Sequence, residues 1–113
     1  MATFIYFGVN FYVGRNAKNN WELLDKANDN DIWVHLDSLP SCYVIIDSNS
    51  SSPINKTHIK YAGQLCLTYS KIPNDVKGVH FIFTECKNVK KGKSTGEAIL
   101  LTTPERRFQK LSF

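Results

Sequence analysis

Period-two alternation opens the chain and returns near its end, with two stretches of helical periodicity between. Thr3-Phe4-Ile5-Tyr6-Phe7 and Phe11-Tyr12-Val13 are β-branched and aromatic runs around Gly8-Val9-Asn10, which predicts a hairpin. Asn16 is a suitable N-cap for a helix over 17–27, on which Ala17, Trp21, Leu24 and Ala27 form a narrow apolar stripe. Ile32-Trp33-Val34-His35-Leu36 alternates, with Ile32, Val34 and Leu36 on one face and Trp33 and His35 on the other. Cys42 to Ile46 is an unbroken apolar run, the mark of a strand buried on both faces. The Ser- and Asn-rich segment from Asp47 to Ser52 predicts a mobile loop. Ser52-Pro53 then forms an N-cap and first-turn pair. The helix it starts reaches Ser70, with Ile54, His58, Tyr61, Leu65 and Tyr69 beside Ile59, Ala62 and Cys66 on one wide face.

Pro73-Asn74-Asp75 breaks that helix, and Gly78 to Thr84 is strongly β-forming. Lys87 to Lys93 is a basic segment closing at Gly92. Runs 97–102 and 107–111 are predicted to pair across a turn at Pro104-Glu105. The sum is six or seven strands and two helices: a single α+β domain over 1–113 with a mostly antiparallel sheet.

Composition narrows the class. At 113 residues, 42% apolar and 21% charged, the chain can build a core without staples, and disorder, collagen and coiled coil are excluded. No run approaches the roughly 18 apolar residues that span a bilayer. Met1 to Phe7 lacks the basic start of a secretory signal, so a cytoplasmic protein with no membrane partner is expected. Cys42, Cys66 and Cys86 include no close pair, which predicts three reduced, buried thiols. Of the net charge of +4, residues 1–70 carry −1 and residues 71–113 carry +5, an asymmetry suited to a polyanionic partner.

Neither a phosphate-binding loop nor a dinucleotide fingerprint occurs, so no cofactor is expected. His35, His58 and His80 lack ligand spacing, so no metal is expected, and His58 on an apolar stripe reads as a core residue. One polar cluster stands out: Arg15, Asn16, Asn20, Asp31, Trp33 and His35. It offers a guanidinium that can fork onto a phosphate, two amides, a stacking indole and a titratable imidazole. The same residues also fit purely structural duties, with Asn16 as a cap, Asp31 as a turn carboxylate and Trp33 in the core. The second candidate is Lys87, Lys90, Lys91 and Lys93, which beside Gly92 and Gly96 suggest a flexible basic arm for phosphates. Otherwise they form a solvated edge loop.

The motifs also resemble a known family. Val13-Gly14-Arg15-Asn16-Ala17-Lys18-Asn19-Asn20 is similar to the VGRNA-x-x-N signature of the NFACT RNA-binding domain, found in ribosome-associated quality-control factors. Asp31-Ile32-Trp33-Val34-His35 resembles that family's D-[LIV]-W-x-H strand. Pro40 to Ile46 resembles its P-G-S-H-V-I-I strand, and Tyr69-Ser70-Lys71 its Y-S-K helix end. Lys87-Asn88-Val89-Lys90-Lys91 with Gly96 resembles its K-x-V-[KR]-K…G segment. The matches run collinearly from about 12 to 101.

The resemblance implies an RNA-binding module engaged with tRNA or rRNA and the large ribosomal subunit, in translation or ribosome quality control. It places Arg15, Asn16, Asn20, Asp31, Trp33, His35, Lys71, Lys87, Lys90 and Lys91 among the signature residues, and Lys93 extends the basic run. Tyr43 stands where the family has a second histidine, and Trp21 where an acidic residue follows Asn20. The likeness is to stand-alone members, so the peptide tailing of the larger factors is not implied. Two alternatives remain at this level. One is an RNA-directed enzyme using His35 as general acid/base, oriented by Asp31 or Asp37. The other is a protein-interaction adaptor of the translation machinery.

Overall fold

The structure is a computed structural model that describes residues 2–73 and 76–110, the side chain of Lys110 excepted. The expected breaker at Asn74-Asp75 and the strand end at Leu111 lie outside the described residues. The elements are β1 (Ala2–Tyr6), β2 (Val9–Val13), α1 (Ala17–Lys26), β3 (Ile32–Leu36), β4 (Val44–Ile46), α2 (Lys56–Tyr69), β5 (Gly78–Glu85), β6 (Val89–Lys91), β7 (Ala98–Leu100) and β8 (Glu105–Lys110). Six strands form one sheet in the order β1-β2-β4-β3-β5-β8, with every neighbouring pair antiparallel. The expected α+β class and antiparallel sheet hold. Among the described residues there are eight strands because β6 and β7 form a separate hairpin. Among them, too, no helix is long and apolar enough to cross a membrane.

Both faces of the sheet are covered, which explains why β4 reads as unbroken apolar sequence. On one face, Phe11, Val34, Leu36, Val44, Ile46 and Phe83 pack against Ile59, Ala62, Leu65 and Cys66 of α2. On the other, Trp33, Tyr43, Ile45 and Ile82 lie under Leu23 of α1 and Val89 of the β6–β7 hairpin. All three cysteines are free and buried, as expected.

Several local expectations give way to tertiary structure. The β1–β2 turn is Phe7-Gly8, not Gly8-Val9-Asn10. Both residues take positive φ (45° and 73°), the requirement of a type I′ turn that matches the twist of the strands. His58 helps hold it. Its Nδ1 accepts from the Asn55 backbone N–H, closing a capping box, and its Nε2–H donates to the Phe7 carbonyl. The N-cap of α2 is therefore Asn55, three residues beyond Ser52. The 47–52 loop is tied down. Asn10 N–H donates to Ser50 Oγ, Ser52 N–H to the Gly8 carbonyl, and Ser48 N–H and Oγ–H both to Asp31.

On α1 the buried face is centred on Asn20 and Leu23, while Ala17 is exposed and Trp21 and Leu24 are half-buried. Trp21 packs toward the β6–β7 hairpin, with its Nε1–H donating to the Glu97 carbonyl. Among the described residues, segments 97–102 and 107–110 do not pair with each other. β7 pairs with β6, and β8 pairs with the long β5, where it finds a full row of backbone partners. The expected basic arm is accordingly built structure: a 3₁₀ turn over Cys86–Asn88 runs into β6, whose Val89 is buried.

Candidate nucleic-acid interface

Because β2 and β4 are neighbours, the chain leaving β2 toward α1 faces the chain entering β4. Gly14 N–H donates to the Tyr43 carbonyl at 3.0 Å, and Tyr43 N–H donates to Asn20 Oδ1 at 3.0 Å. Asn20 is only 6% exposed, so this amide clasps α1 to the sheet. Gly14 is needed beside it: a Cβ there would collide with Asn20 Oδ1. Asn16 caps α1 by accepting from Asn19 N–H, and Asn19 Oδ1 accepts from Arg15 N–H. These bonds fix the local backbone and leave the Arg15 side chain exposed, with no carboxylate partner among the described residues.

Around this corner lies a groove of about 430 Å³ that gathers Arg15, Asn16, Asn20, His35, Ser41, Cys42, Ser70, Lys71 and Gly96. His35, which lines the groove, belongs to an aromatic cluster. Trp33 and His35 stack at 5.2 Å and 9° between planes, and Tyr43 meets both edge-on, at 5.4 and 5.7 Å. Trp33 itself is sealed, and its buried Nε1–H has no acceptor among the described residues. The Tyr43 hydroxyl donates to the Gly96 carbonyl at 2.7 Å, and burial pushes its pKa up to about 12. This bond and the Trp21–Glu97 bond hold the β6–β7 loop over the groove.

His35 Nδ1–H donates to the Leu36 carbonyl at 2.6 Å, so in the neutral ring Nε2 is an acceptor with no bond to any described residue. Burial lowers the pKa of this imidazole, opposed by the Leu36 carbonyl and the Asp37 charge. No carboxylate orients the ring, contrary to the expectation for Asp31 or Asp37. Asp37 pairs with Arg106 at 2.7 Å. Asp31 is 4% exposed and accepts from Asn28 N–H, Ser48 N–H and Ser48 Oγ. It lines a different pocket, with Tyr12, Leu23 and Asp47, at the opposite end of β3.

The groove thus unites Arg15, Asn16, Asn20, His35 and Lys71; neither Trp33, which stacks on His35, nor Asp31 lines it. The lysines of the hairpin divide. Lys91 pairs with Asp25 at 2.7 Å and stands 5.4 Å from the centre of the Trp21 ring, and Lys87 lies 3.6 Å from Glu85. Lys90 and Lys93 are exposed, and among the described residues neither is paired with a carboxylate. Sequence reasoning missed Ser41, Cys42 and Ser70 as groove residues. Ser70 Oγ joins two of them, accepting from Cys42 N–H at 3.1 Å. Cys42, in the groove wall, is lowered in pKa by a hydrogen bond with Cys66, while burial raises Cys66. Their one sequence signal was that they sit within or beside the matched P-G-S-H and Y-S-K segments.

The groove is open, and the exposed cations Arg15 and Lys71 are among its lining residues. The family follows from sequence. The profile described as NFACT protein RNA binding domain matches residues 5–103, and the chain belongs to that family, an RNA-binding one. Among solved structures, the C-terminal part of the fibronectin/fibrinogen-binding protein from Streptococcus suis superposes with a TM-score of 0.75 at 22% identity. The match covers 92% of this chain and 41% of that one, and it shows a shared fold. No curated protein matches the chain.

Proposed function

We propose that the groove is where this domain holds RNA, and that the RNA is tRNA or ribosome-associated RNA, met in the cytoplasm during translation or ribosome quality control. The observation that carries this reading is convergence. Arg15, His35 and Lys71 come from three separate segments, and all line one groove beside the capped start of α1. Arg15 offers a planar fork to a phosphate, and Lys71 a point charge. Neutral His35 offers Nε2 to a donor such as a ribose 2′-hydroxyl or an exocyclic amine. Lys90 and Lys93, exposed on the β6–β7 hairpin and unpaired with a carboxylate among the described residues, supply further point charges for phosphates.

Titration of the protein with tRNA and with unrelated single-stranded RNA tests this. Arg15→Lys keeps the charge but loses the fork, so affinity falls by about tenfold, the worth of one charged hydrogen bond of ~1.5 kcal/mol. Equal affinity in wild type and variant overturns the groove reading. Crosslinking and sequencing of RNA recovered with the protein from its native cell checks the class: tRNA or rRNA reads support it, and messenger RNA alone defeats it. A cleaved or modified RNA that disappears with His35→Ala would replace binding with catalysis.

A further inference from the structure

On the opposite face of the sheet from the groove, a second cleft of about 270 Å³ runs between the start of α2 and β8. Lys56 and Lys60 stand one helical turn apart on α2 and enter it from one side. Arg107 enters from the other. It is paired in register with Phe81, whose side chain packs in the α2-side core, so Arg107 shares that face. Its guanidinium carbon sits 5.5 Å from the centre of the Phe83 ring, which gives the side chain a fixed heading.

Three cations line this cleft, and no acidic residue among the described residues does. Among the described residues none of the three pairs with a carboxylate, whereas the adjacent Arg106 is neutralised by Asp37. Converging like charges raise the free energy of the folded chain unless an anion joins them. We infer that Lys56, Lys60 and Arg107 form a second phosphate-holding site, which takes the backbone of RNA independently of the groove. A planar guanidinium facing two ammonium groups suits successive phosphates of one strand better than it suits bases, so the contact is indifferent to sequence. RNA is chosen over an acidic protein because the family to which the chain belongs binds RNA. The inference rests on that family reading and not on the groove.

The test uses the intact chain. Each phosphate contact on single-stranded RNA contributes roughly −0.7 to the slope of log K against log salt, so K56A/K60A/R107A flattens the slope by about 2 units. The charge-keeping K56R/K60R/R107K retains it. Parallel salt lines for wild type and the alanine variant overturn the inference. A second measurement needs no variant: RNA protects Lys56 and Lys60 of the wild-type protein from amine acylation. Acylation unchanged by RNA overturns the site, as does protection produced equally by an acidic peptide of matched charge. Protection by inorganic phosphate as strong as by RNA at equal phosphate concentration would assign the cleft to a small phosphorylated ligand and overturn the RNA reading. Failure of Arg15→Lys to weaken binding would sink the groove and leave these readouts untouched, so the two ideas fail separately.

Discussion

The two faces of the sheet divide the labour of the molecule. The α2 face is mainly an aliphatic and aromatic core, with the cleft of Lys56, Lys60 and Arg107 at its edge, and the buried His58 has both ring nitrogens bonded. The α1 face buries Asn20 and Asp31 and stacks Trp33, His35 and Tyr43. Its polar atoms are spent on holding backbone: Asn20 on Tyr43, Asp31 on the 47–52 loop, Tyr43 on Gly96. Hydrophobic burial can fix a fold without fixing polar atoms in space, and an interface for a charged ligand needs the second as well. Here the α2 face supplies stability, and the α1 face spends some of it on geometry.

The sharpest way to break this contrast is Phe11→Ala. The ring is fully buried and meets Tyr61 edge-on at 4.9 Å, so its loss costs about 3–5 kcal/mol in denaturant melts. RNA affinity of the protein that remains folded is unchanged. Asn20→Ala reverses the pattern. It strands the buried Tyr43 N–H and costs about 1–3 kcal/mol, less than Phe11→Ala, yet it also weakens RNA binding because the Arg15 corner loses its clasp. If Asn20→Ala binds RNA normally, the α1 face is merely another core.

Smaller effects separate the lysines. Lys90→Ala with Lys93→Ala flattens the salt slope by roughly 1.4 units for single-stranded RNA. Lys87→Ala with Lys91→Ala flattens it less, because Glu85 and Asp25 already hold those charges. The smallest effect is on pH dependence. Because burial lowers the His35 pKa from 6.5, the unfolded chain binds more protons than the folded one between the two values. That contribution to stability is complete above 6.5 and is lost as pH falls toward the folded value. His35→Gln removes this part of the pH slope in melts between about pH 7 and pH 5.

Much of the fold was legible where neighbours in sequence decide the outcome. β1, β2, β3, β5 and, apart from the N-cap of α2 and the buried face of α1, both helices follow from alternation and helical periodicity. The Phe7-Gly8 turn did not, because a bulky aromatic seldom takes positive φ and here does so with its carbonyl held by His58. Nor did the β6–β7 hairpin, whose short strand carries two exposed lysines and a single buried valine. Within the groove, Arg15, Asn16, Asn20, His35 and Lys71 lay in readable motifs. Ser41, Cys42 and Ser70 sat in or beside those motifs too, but only three-dimensional convergence brought them into one groove. Asp31 was misgrouped for a simple reason: four residues of extended chain carry it roughly 13 Å from His35.

The strand order also dictates when the groove can come into being. β1 and β2 close through a two-residue turn, a microsecond event for a hairpin. The centre of the sheet has no such shortcut: Leu36 must find Phe81, and Ile32 must find Glu85. Closing a loop of roughly 50 residues is entropically costly before any contact rewards it, and such non-local pairing slows folding. During synthesis, β3 therefore waits for β5 with one edge unpaired, and His35 reaches its final setting only after most of the chain has been made.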